Sequence, residues 1–232
     1  MNVSRQRWWA GLLGLAGAIL LALGDQGLYF APVSGSDFVA HLRDIVAAAP
    51  TDRILLGATV GPLAVLLYLF GFWHVYMNIR ERQPSVAGAV AVGLVLSYLA
   101  GGSYHVFWAA KALAIQAAVH ADAPYRPALA LLDQQIHDFG ARLYQFAELP
   151  GYLAGLLLLM LIAFGRTAYP RWVALVTPAV PVLLLQMVEA YIPAPLGSLL
   201  VGSAVNLSFA AFFAISLATT TPRGADAITS RP

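Results

Sequence analysis

Stretches of mostly apolar residues recur along the chain, separated by short segments that carry most of the charges. A helix needs about 20 such residues to cross a bilayer. The stretches are Trp8–Leu28, Ile54–Tyr76, Ala87–Trp108, Leu149–Phe164, Trp172–Tyr191 and Leu196–Leu217. The fourth is short, and we expect the residues before it to continue it as helix. The pattern predicts an all-α, polytopic bundle of six transmembrane helices, with residues 1–232 forming a single integral membrane domain.

The first stretch has a second interpretation. It follows Arg5 and Arg7 and ends in the sequence LALGD, so it resembles a signal peptide with a small-residue cleavage site. Its apolar run is longer than a usual signal core, however, and five further stretches follow it. We therefore interpret it as an uncleaved first span.

The arginines predict how the bundle is oriented, because cytoplasmic loops are enriched in Lys and Arg. In a six-span arrangement one side carries Arg5, Arg7, Arg80, Arg82, Arg166, Arg171, Arg223 and Arg231, with few acids. The other side carries most of the aspartates. We therefore expect both termini to be cytoplasmic and the chain to lie, as a multi-pass protein, in a bacterial inner membrane or plasma membrane.

Two long connections then lie outside. Residues 34–53 begin with Ser36 and Asp37, which are typical helix caps, and their apolar residues recur at helical spacing. This pattern predicts a short helix on the membrane interface. We expect the third span to continue to about Ala118 as a helical extension. A turn at residues 122–127 and a helix descending into the fourth span should follow, with a kink or a restart at Pro150.

Composition supports the membrane interpretation. Hydrophobic residues make up 60% of the chain and charged residues 10%, whereas a soluble domain has about 25% charged residues. The absence of cysteine excludes disulfides, thiolate nucleophiles and iron–sulfur ligands. A net charge of +2 gives no indication of nucleic-acid binding. The partners predicted are membrane lipids and a small amphiphilic ligand; the oligomeric state is left open.

Four ionisable residues reach the same depth once this topology is applied. Asp25, His105, Glu148 and Glu189 all fall near the outer ends of their spans. Ionisable groups inside spans are costly and usually face the bundle interior or a watery cavity. The sequence therefore predicts a polar chamber, open toward the outer leaflet, in which at least three of these four side chains converge. They are the predicted catalytic residues and the predicted metal ligands.

Other polar residues are candidates for ligand binding in this chamber. Gln145 and Gln186 each lie three residues before one of the glutamates and therefore on the same helix face. Lys111 and Asn206 complete the set of predicted ligand-binding residues. Each candidate also has an ordinary explanation. Glu148 would suit a helix N-terminus at Pro150, Lys111 a snorkelling position, and Asn206 interhelical contact.

One more histidine, His74, falls near the cytoplasmic end of its span. We interpret it as interfacial rather than catalytic. No nucleotide-binding loop, zinc-protease motif or nucleophile elbow is present.

Three pieces of sequence carry a family resemblance. The segments GDQGLYF (24–30), YPRW (169–172) and PAPLGSLLVGSAVNLSFAAFF (193–213) resemble an uncharacterised bacterial family of small six-helix integral membrane proteins. The resemblance implies a bacterial origin, and no activity can be carried over from it. Asp25 and Asn206 lie inside the matching pieces.

Two functions from different classes fit these observations. The first is a membrane-embedded enzyme acting on a lipid or other amphiphile, in which the carboxylates and His105 hold a divalent metal such as Zn, Mn or Fe. The second is a transporter or binding protein for a small molecule, a cation or protons. Transporters usually show internal repeats and broken helices. Neither is evident in the sequence, which therefore favours the enzyme or binding pocket.

Overall fold

The computed structural model describes residues 3–220, and within them every regular element is helical. The α-helices are α1 (Val3–Tyr29), α2 (Gly35–Ala48), α3 (Thr51–Arg80), α4 (Pro84–His120), α5 (Arg126–Ala163), α6 (Ala179–Val188), α7 (Leu196–Gly202) and α8 (Ala204–Thr220). Short 3-10 helices precede α6 at Arg171–Val176 and follow it at Glu189–Tyr191. The predicted all-α class is confirmed.

Glycines hold α1 and α3 in close antiparallel contact. A Cβ atom added to Gly14 would lie 2.4 Å from Cα of Gly71, and one added to Gly27 would lie 2.7 Å from Cα of Gly57. Backbones can approach this closely only where side chains are absent. α3 also packs on α4, α4 on α5, and α8 on α1. We call the end of the bundle where α1 begins its N-terminal end, and α1 finishes at the opposite end.

α4 and α5 form a hairpin that is longer than a membrane is thick. α4 has 37 residues, which corresponds to about 55 Å at 1.5 Å per residue. The hydrocarbon core of a bilayer measures about 30 Å. The predicted extension beyond the third span is confirmed, since the helix continues to His120 and the chain reverses only between Ala121 and Tyr125.

The restart of the helix predicted at Pro150 is wrong, whereas the kink stays a prediction. Pro150 lies inside α5, which continues as one helix from Arg126 to Ala163. A proline has no backbone N–H to donate and often interrupts a helix, but long membrane helices tolerate it because neighbours satisfy the freed carbonyl. Glu148 therefore lies in the middle of a helix, and the explanation that it caps a helix N-terminus is wrong.

The last third of the chain is broken. The predicted fifth span, Trp172–Tyr191, consists of a 3-10 helix, α6 and a second 3-10 helix rather than one α-helix. The predicted sixth span, Leu196–Leu217, comprises α7 and α8, which bend by 70° at Ser203. Four helices of residues 3–220 are long and apolar enough to cross a membrane, and five if the bent pair counts as one. Six spans stay a prediction.

The short helix predicted for the first long connection is confirmed as α2, and its position on the membrane interface stays a prediction. Its N-terminus is capped by Ser34, whose hydroxyl accepts from the Asp37 backbone N–H at 3.2 Å. The cap therefore lies two residues before the predicted Ser36. Arg43 donates to the buried carboxylate of Asp133 on α5, which ties α2 to the hairpin.

Candidate functional site

The buried carboxylate of Asp25 accepts hydrogen bonds from three side chains, one on the next turn of α1, one on α4 and one on α8. Its Oδ1 atom accepts from the Tyr29 hydroxyl at 2.8 Å and from His105 Nε2 at 3.2 Å. Its Oδ2 atom accepts from Asn206 Nδ2 at 2.7 Å. Asp25 is 5% exposed and His105 7%. Helices α1, α4 and α8 thus meet at one carboxylate, which we call the Asp25 site.

Glycines on α1 and α3 create the space that His105 occupies. A Cβ atom on Gly61 would lie 2.6 Å from Cβ of His105, and one on Gly24 would lie 3.1 Å from its Cε1. The imidazole therefore packs closely against glycines of α1 and α3. Its Nδ1 atom is buried and has no hydrogen-bond partner among residues 3–220.

Tyrosines fix the amide of Asn206. The Tyr68 hydroxyl donates to Asn206 Oδ1 at 2.9 Å, so the Nδ2 group has to face Asp25. The ring of Tyr98 lies 4.2 Å from that of Tyr68, and both side chains are buried. Beyond them the core continues as a cluster of rings toward the N-terminal end: Phe72, Phe209 and Phe213.

The bend between α7 and α8 rests against the same turn of α1. The Tyr29 hydroxyl lies 3.1 Å from the carbonyl oxygen of Gly202, as well as beside Asp25. Gln26 donates to the Ser203 hydroxyl, which in turn lies 3.2 Å from the Ala22 carbonyl oxygen. The bend between α7 and α8 and the Asp25 site therefore contact the same C-terminal part of α1.

A second polar cluster lies at the N-terminal end of the bundle. His74 Nδ1 lies 2.8 Å from the Arg7 carbonyl oxygen, and His74 Nε2 lies 2.6 Å from the Ser216 hydroxyl. Asn78 donates to the His74 carbonyl at 2.9 Å. His74 is 1% exposed. The interpretation of His74 as an interfacial residue is therefore wrong.

Tyr169 closes this second cluster. It lies in the connection after α5, outside the helices, and its hydroxyl is 3.1 Å from that of Ser216. Burial raises the pKa of Tyr169 to about 12, so the hydroxyl keeps its proton at neutral pH. The cluster joins α1, α3, α8 and this connection. Ser216 and His74 have the spacing of a nucleophile and its base, but Ser216 is 0% exposed, and we assign the cluster a packing role.

The two glutamates predicted for the chamber lie outside the Asp25 site. Glu148, on α5, accepts from the Tyr152 hydroxyl at 2.9 Å. Glu189 follows the end of α6, and its carbonyl oxygen packs against Gly35. Its carboxylate makes no hydrogen bond or ion pair with any residue that the structure describes. Of the four ionisable residues, Asp25 and His105 are in contact; the convergence of at least three of them on one cavity stays a prediction.

The predicted ligand-binding residues separate in the same way. Asn206 belongs to the Asp25 site. Gln145 and Gln186 are exposed. Lys111 lies over the ring of Trp108, at 4.5 Å from its centroid, which is a cation–π contact rather than a pairing with the carboxylates.

The predicted four-ligand metal centre does not form. Among residues 3–220 no group of three or more His, Cys, Asp or Glu is placed to hold a metal ion. Glu148 instead accepts a hydrogen bond from Tyr152 of its own helix, and Glu189 follows the end of α6.

The open chamber expected at the outer ends of the spans stays a prediction. One of the most pronounced concavities is an open groove of about 370 Å³, lined by Met160, Leu161, Phe164 and Arg166. These residues belong to the end of α5 and the loop after it, beginning 12 residues after Glu148. The Asp25 site is instead closed by its own packing.

Sequence reasoning missed Tyr29, Tyr68 and the second cluster. Tyr29 could have been found, since it lies four residues after Asp25 and so on the same helix face. Tyr68 and Ser216 carry no such local signal, because their partners lie 138 and 142 residues away in the chain.

Comparison with known proteins gives a family without an activity. The family model described as "Family of unknown function (DUF6796)" matches residues 1–221. No curated protein and no solved structure matches the chain.

Proposed function

We propose a function for this chain, which belongs to the DUF6796 family of unknown function: it is a membrane protein that takes up and releases a proton at the Asp25 site and so transports protons across the membrane. The observation that carries the proposal is the buried contact between Asp25 and His105, whose Nδ1 atom has no partner among the described residues. The pair offers both a carboxylate and an imidazole nitrogen that can accept a proton.

Burial of the pair supports a functional role. An ionisable side chain inside a membrane bundle is expensive and usually marks an ion or proton pathway. A structural contact between α1, α4 and α8 could be made by neutral amides at lower cost. Asp25 is instead held by three side chains, from α1, α4 and α8, that donate hydrogen bonds to its two oxygen atoms.

The proton can be accommodated by turning one hydroxyl. When Asp25 is ionised, the Tyr29 hydroxyl donates to its Oδ1 atom. When Oδ1 carries a proton, it can donate to the Tyr29 oxygen, and the Tyr29 hydroxyl then donates to the Gly202 carbonyl 3.1 Å away. No new cavity is needed, because a proton is the one ligand that occupies almost no volume.

The bend at Ser203 favours transport over the lipid-directed enzyme. Transporters place discontinuous helices at their ion sites, and α7 and α8 bend by 70° beside Tyr29. Protonation of Asp25 would change the hydrogen bond between the Tyr29 hydroxyl and the Gly202 carbonyl oxygen. This bond lies at the bend between α7 and α8. The enzyme hypothesis relied on Glu148 and Glu189 joining the same centre, and neither contacts it.

Proton uptake by the reconstituted protein tests the proposal. The full chain is placed in vesicles of phosphatidylcholine and phosphatidylglycerol that enclose a pH-sensitive dye, and a potassium diffusion potential is applied. Wild type should acidify the vesicles. Asp25→Asn, which keeps the side-chain shape but cannot ionise, should abolish the signal, and His105→Gln should reduce it.

Asp44→Asn is the matched control, since the Asp44 side chain is 79% exposed on α2. It should behave like wild type. Thermal unfolding of each variant in detergent separates a loss of function from a loss of fold. If wild type moves no protons, or if a folded Asp25→Asn variant still moves them at the wild-type rate, the proposal is wrong.

A further inference from the structure

Glu148 is the one acid on the membrane-facing half of α5, and its surroundings are unusual. It is half-buried and accepts from the Tyr152 hydroxyl at 2.9 Å. It also interacts electrostatically with the hydroxyls of Tyr104 and Tyr144. No cation pairs with it within residues 3–220. A carboxylate inside a membrane span is costly without a counter-charge. The three tyrosines around Glu148 therefore require an explanation.

The tyrosines continue toward the Asp25 site. The rings of Tyr104 and Tyr144 lie 5.1 Å apart, with α4 supplying one and α5 the other. Tyr104 and Tyr29 both pack on the ring of Trp108, at 6.5 and 5.7 Å between centroids. Since Tyr29 donates to Asp25, hydroxyl groups lead from the half-buried Glu148 to the buried Asp25.

We propose that Glu148 is the proton-exchange residue of the Asp25 site, and that Tyr144, Tyr104 and Tyr29 form the path between the two carboxylates. The inference rests on the proposed function. It assigns Glu148 a role in proton transfer at the surface of the bundle, distinct from the catalytic and metal-binding roles predicted from the sequence.

The transfer balances without a further reactant. Protonated Glu148 gives its proton to the first hydroxyl oxygen, and each hydroxyl passes on its own proton, until Oδ1 of Asp25 gains one. Every tyrosine ends with as many protons as it had. Where two hydroxyls are not in direct contact, the path requires a bridging water molecule, and water commonly bridges polar groups a few ångströms apart.

An interfacial belt is the ordinary explanation for tyrosines near a span end. It accounts for Tyr152, which is 59% exposed. It does not account for Tyr29, which donates to a buried carboxylate in the interior, or for Tyr104, which lies between α4 and α5. The path needs the hydroxyls of Tyr29 and Tyr104, whereas a belt needs only the outer rings.

The test compares two acids of α5 in the vesicle assay. Glu148→Gln should slow proton uptake about 100-fold, the scale of a lost proton-transfer group. Asp138→Asn, which changes an exposed acid on the same helix, should leave it unchanged. Tyr144→Phe should slow uptake, and Tyr125→Phe, at the exposed tip of the hairpin, should not. A small weak acid such as azide should restore uptake by Glu148→Gln, since it carries protons to the path; a merely structural defect would not respond.

The outcomes separate this inference from the proposed function. If wild type takes up protons and Asp25→Asn does not, but Glu148→Gln and Tyr144→Phe match their controls, the path is wrong and the Asp25 site stands. If wild type takes up none, both fail. Should Glu148→Gln not fold, Tyr144→Phe and its control decide, because they leave the carboxylate in place.

Discussion

His105 Nε2 and Asp25 Oδ1 lie 3.2 Å apart in the interior of the helical bundle. Near the C-terminal end of α3, His74 Nδ1 lies 2.8 Å from the backbone carbonyl oxygen of Arg7. An ionised carboxylate and a carbonyl can only accept hydrogen bonds. The two buried histidines therefore present their protons on opposite ring nitrogens, Nε2 in His105 and Nδ1 in His74.

Nitrogen NMR of the histidine rings tests this assignment. In protein labelled with ¹⁵N-histidine, the neutral His105 ring should carry its proton on Nε2 and the His74 ring on Nδ1. His105→Gln and His74→Gln assign the two signals. A His105 proton on Nδ1 would contradict the assignment, and would indicate instead that the proton of the pair lies on Asp25.

Gly61→Ala should disturb the site without removing a polar group. The new Cβ would lie 2.6 Å from Cβ of His105, which has to move away from Asp25. Overpacking of this kind costs about 1–3 kcal/mol. We expect a lower Tm in detergent and slower proton uptake.

Gly101→Ala is the control for that variant. Gly101 lies on the same helix as His105 and has open space where a Cβ would stand. Alanine stabilises a helix by about 0.5–1 kcal/mol relative to glycine, so the Tm should be unchanged or slightly raised. Equal Tm and equal uptake for the two alanine variants would show that His105 is not confined by Gly61.

Asn206→Leu should destabilise the fold. It removes the donor to Asp25 Oδ2 and the acceptor of the Tyr68 hydroxyl, and a buried polar group left without a partner costs about 1–3 kcal/mol. Ser208→Ala, on the same helix, removes a hydroxyl that bonds only to the Ala204 carbonyl of its own helix. Thermal unfolding should show the larger loss for Asn206→Leu; a loss no greater than that of Ser208→Ala would argue against the Asp25–Asn206 contact.

Metal ions should have little effect on the protein. Since no group of three potential ligands exists within residues 3–220, elemental mass spectrometry of the purified chain should find substoichiometric metal. A chelator should leave the Tm in place. Stoichiometric zinc, manganese or iron, lost together with stability on chelation, would restore the metal hypothesis.

Topology is tested by reporter fusions, because the arginine distribution predicts an orientation that the fold does not address. Fusions at Arg82 and at the C-terminus should both report the cytoplasm, and one at Ala121 the outer side. The C-terminal residues lie outside those that the structure describes. An Arg82 reporter on the outer side would reverse the orientation and the direction of the proton path.

The apolar stretches, read without any structure, were enough to predict the helical class, the long α3 and α4, and the turn between α4 and α5. These features follow from local chemistry, since residues 109–120 are strong helix formers and residues 122–127 contain two prolines. The sequence also singled out Asp25, His105 and Asn206, because polar residues inside apolar stretches are rare. Membership of an uncharacterised family is confirmed; its bacterial origin stays a prediction.

Only the tertiary structure decided which polar residues meet. Depth along a helix is set by counting residues, but the direction in which a side chain faces depends on how the helices pack. Gly24 and Gly61 leave room for His105 beside Asp25, whereas Glu148 on α5 contacts Tyr152 instead. The bend at Ser203 is equally invisible in an apolar stretch, since the contacts that hold it, from Gln26 and Tyr29, come from a helix more than 170 residues earlier in the chain.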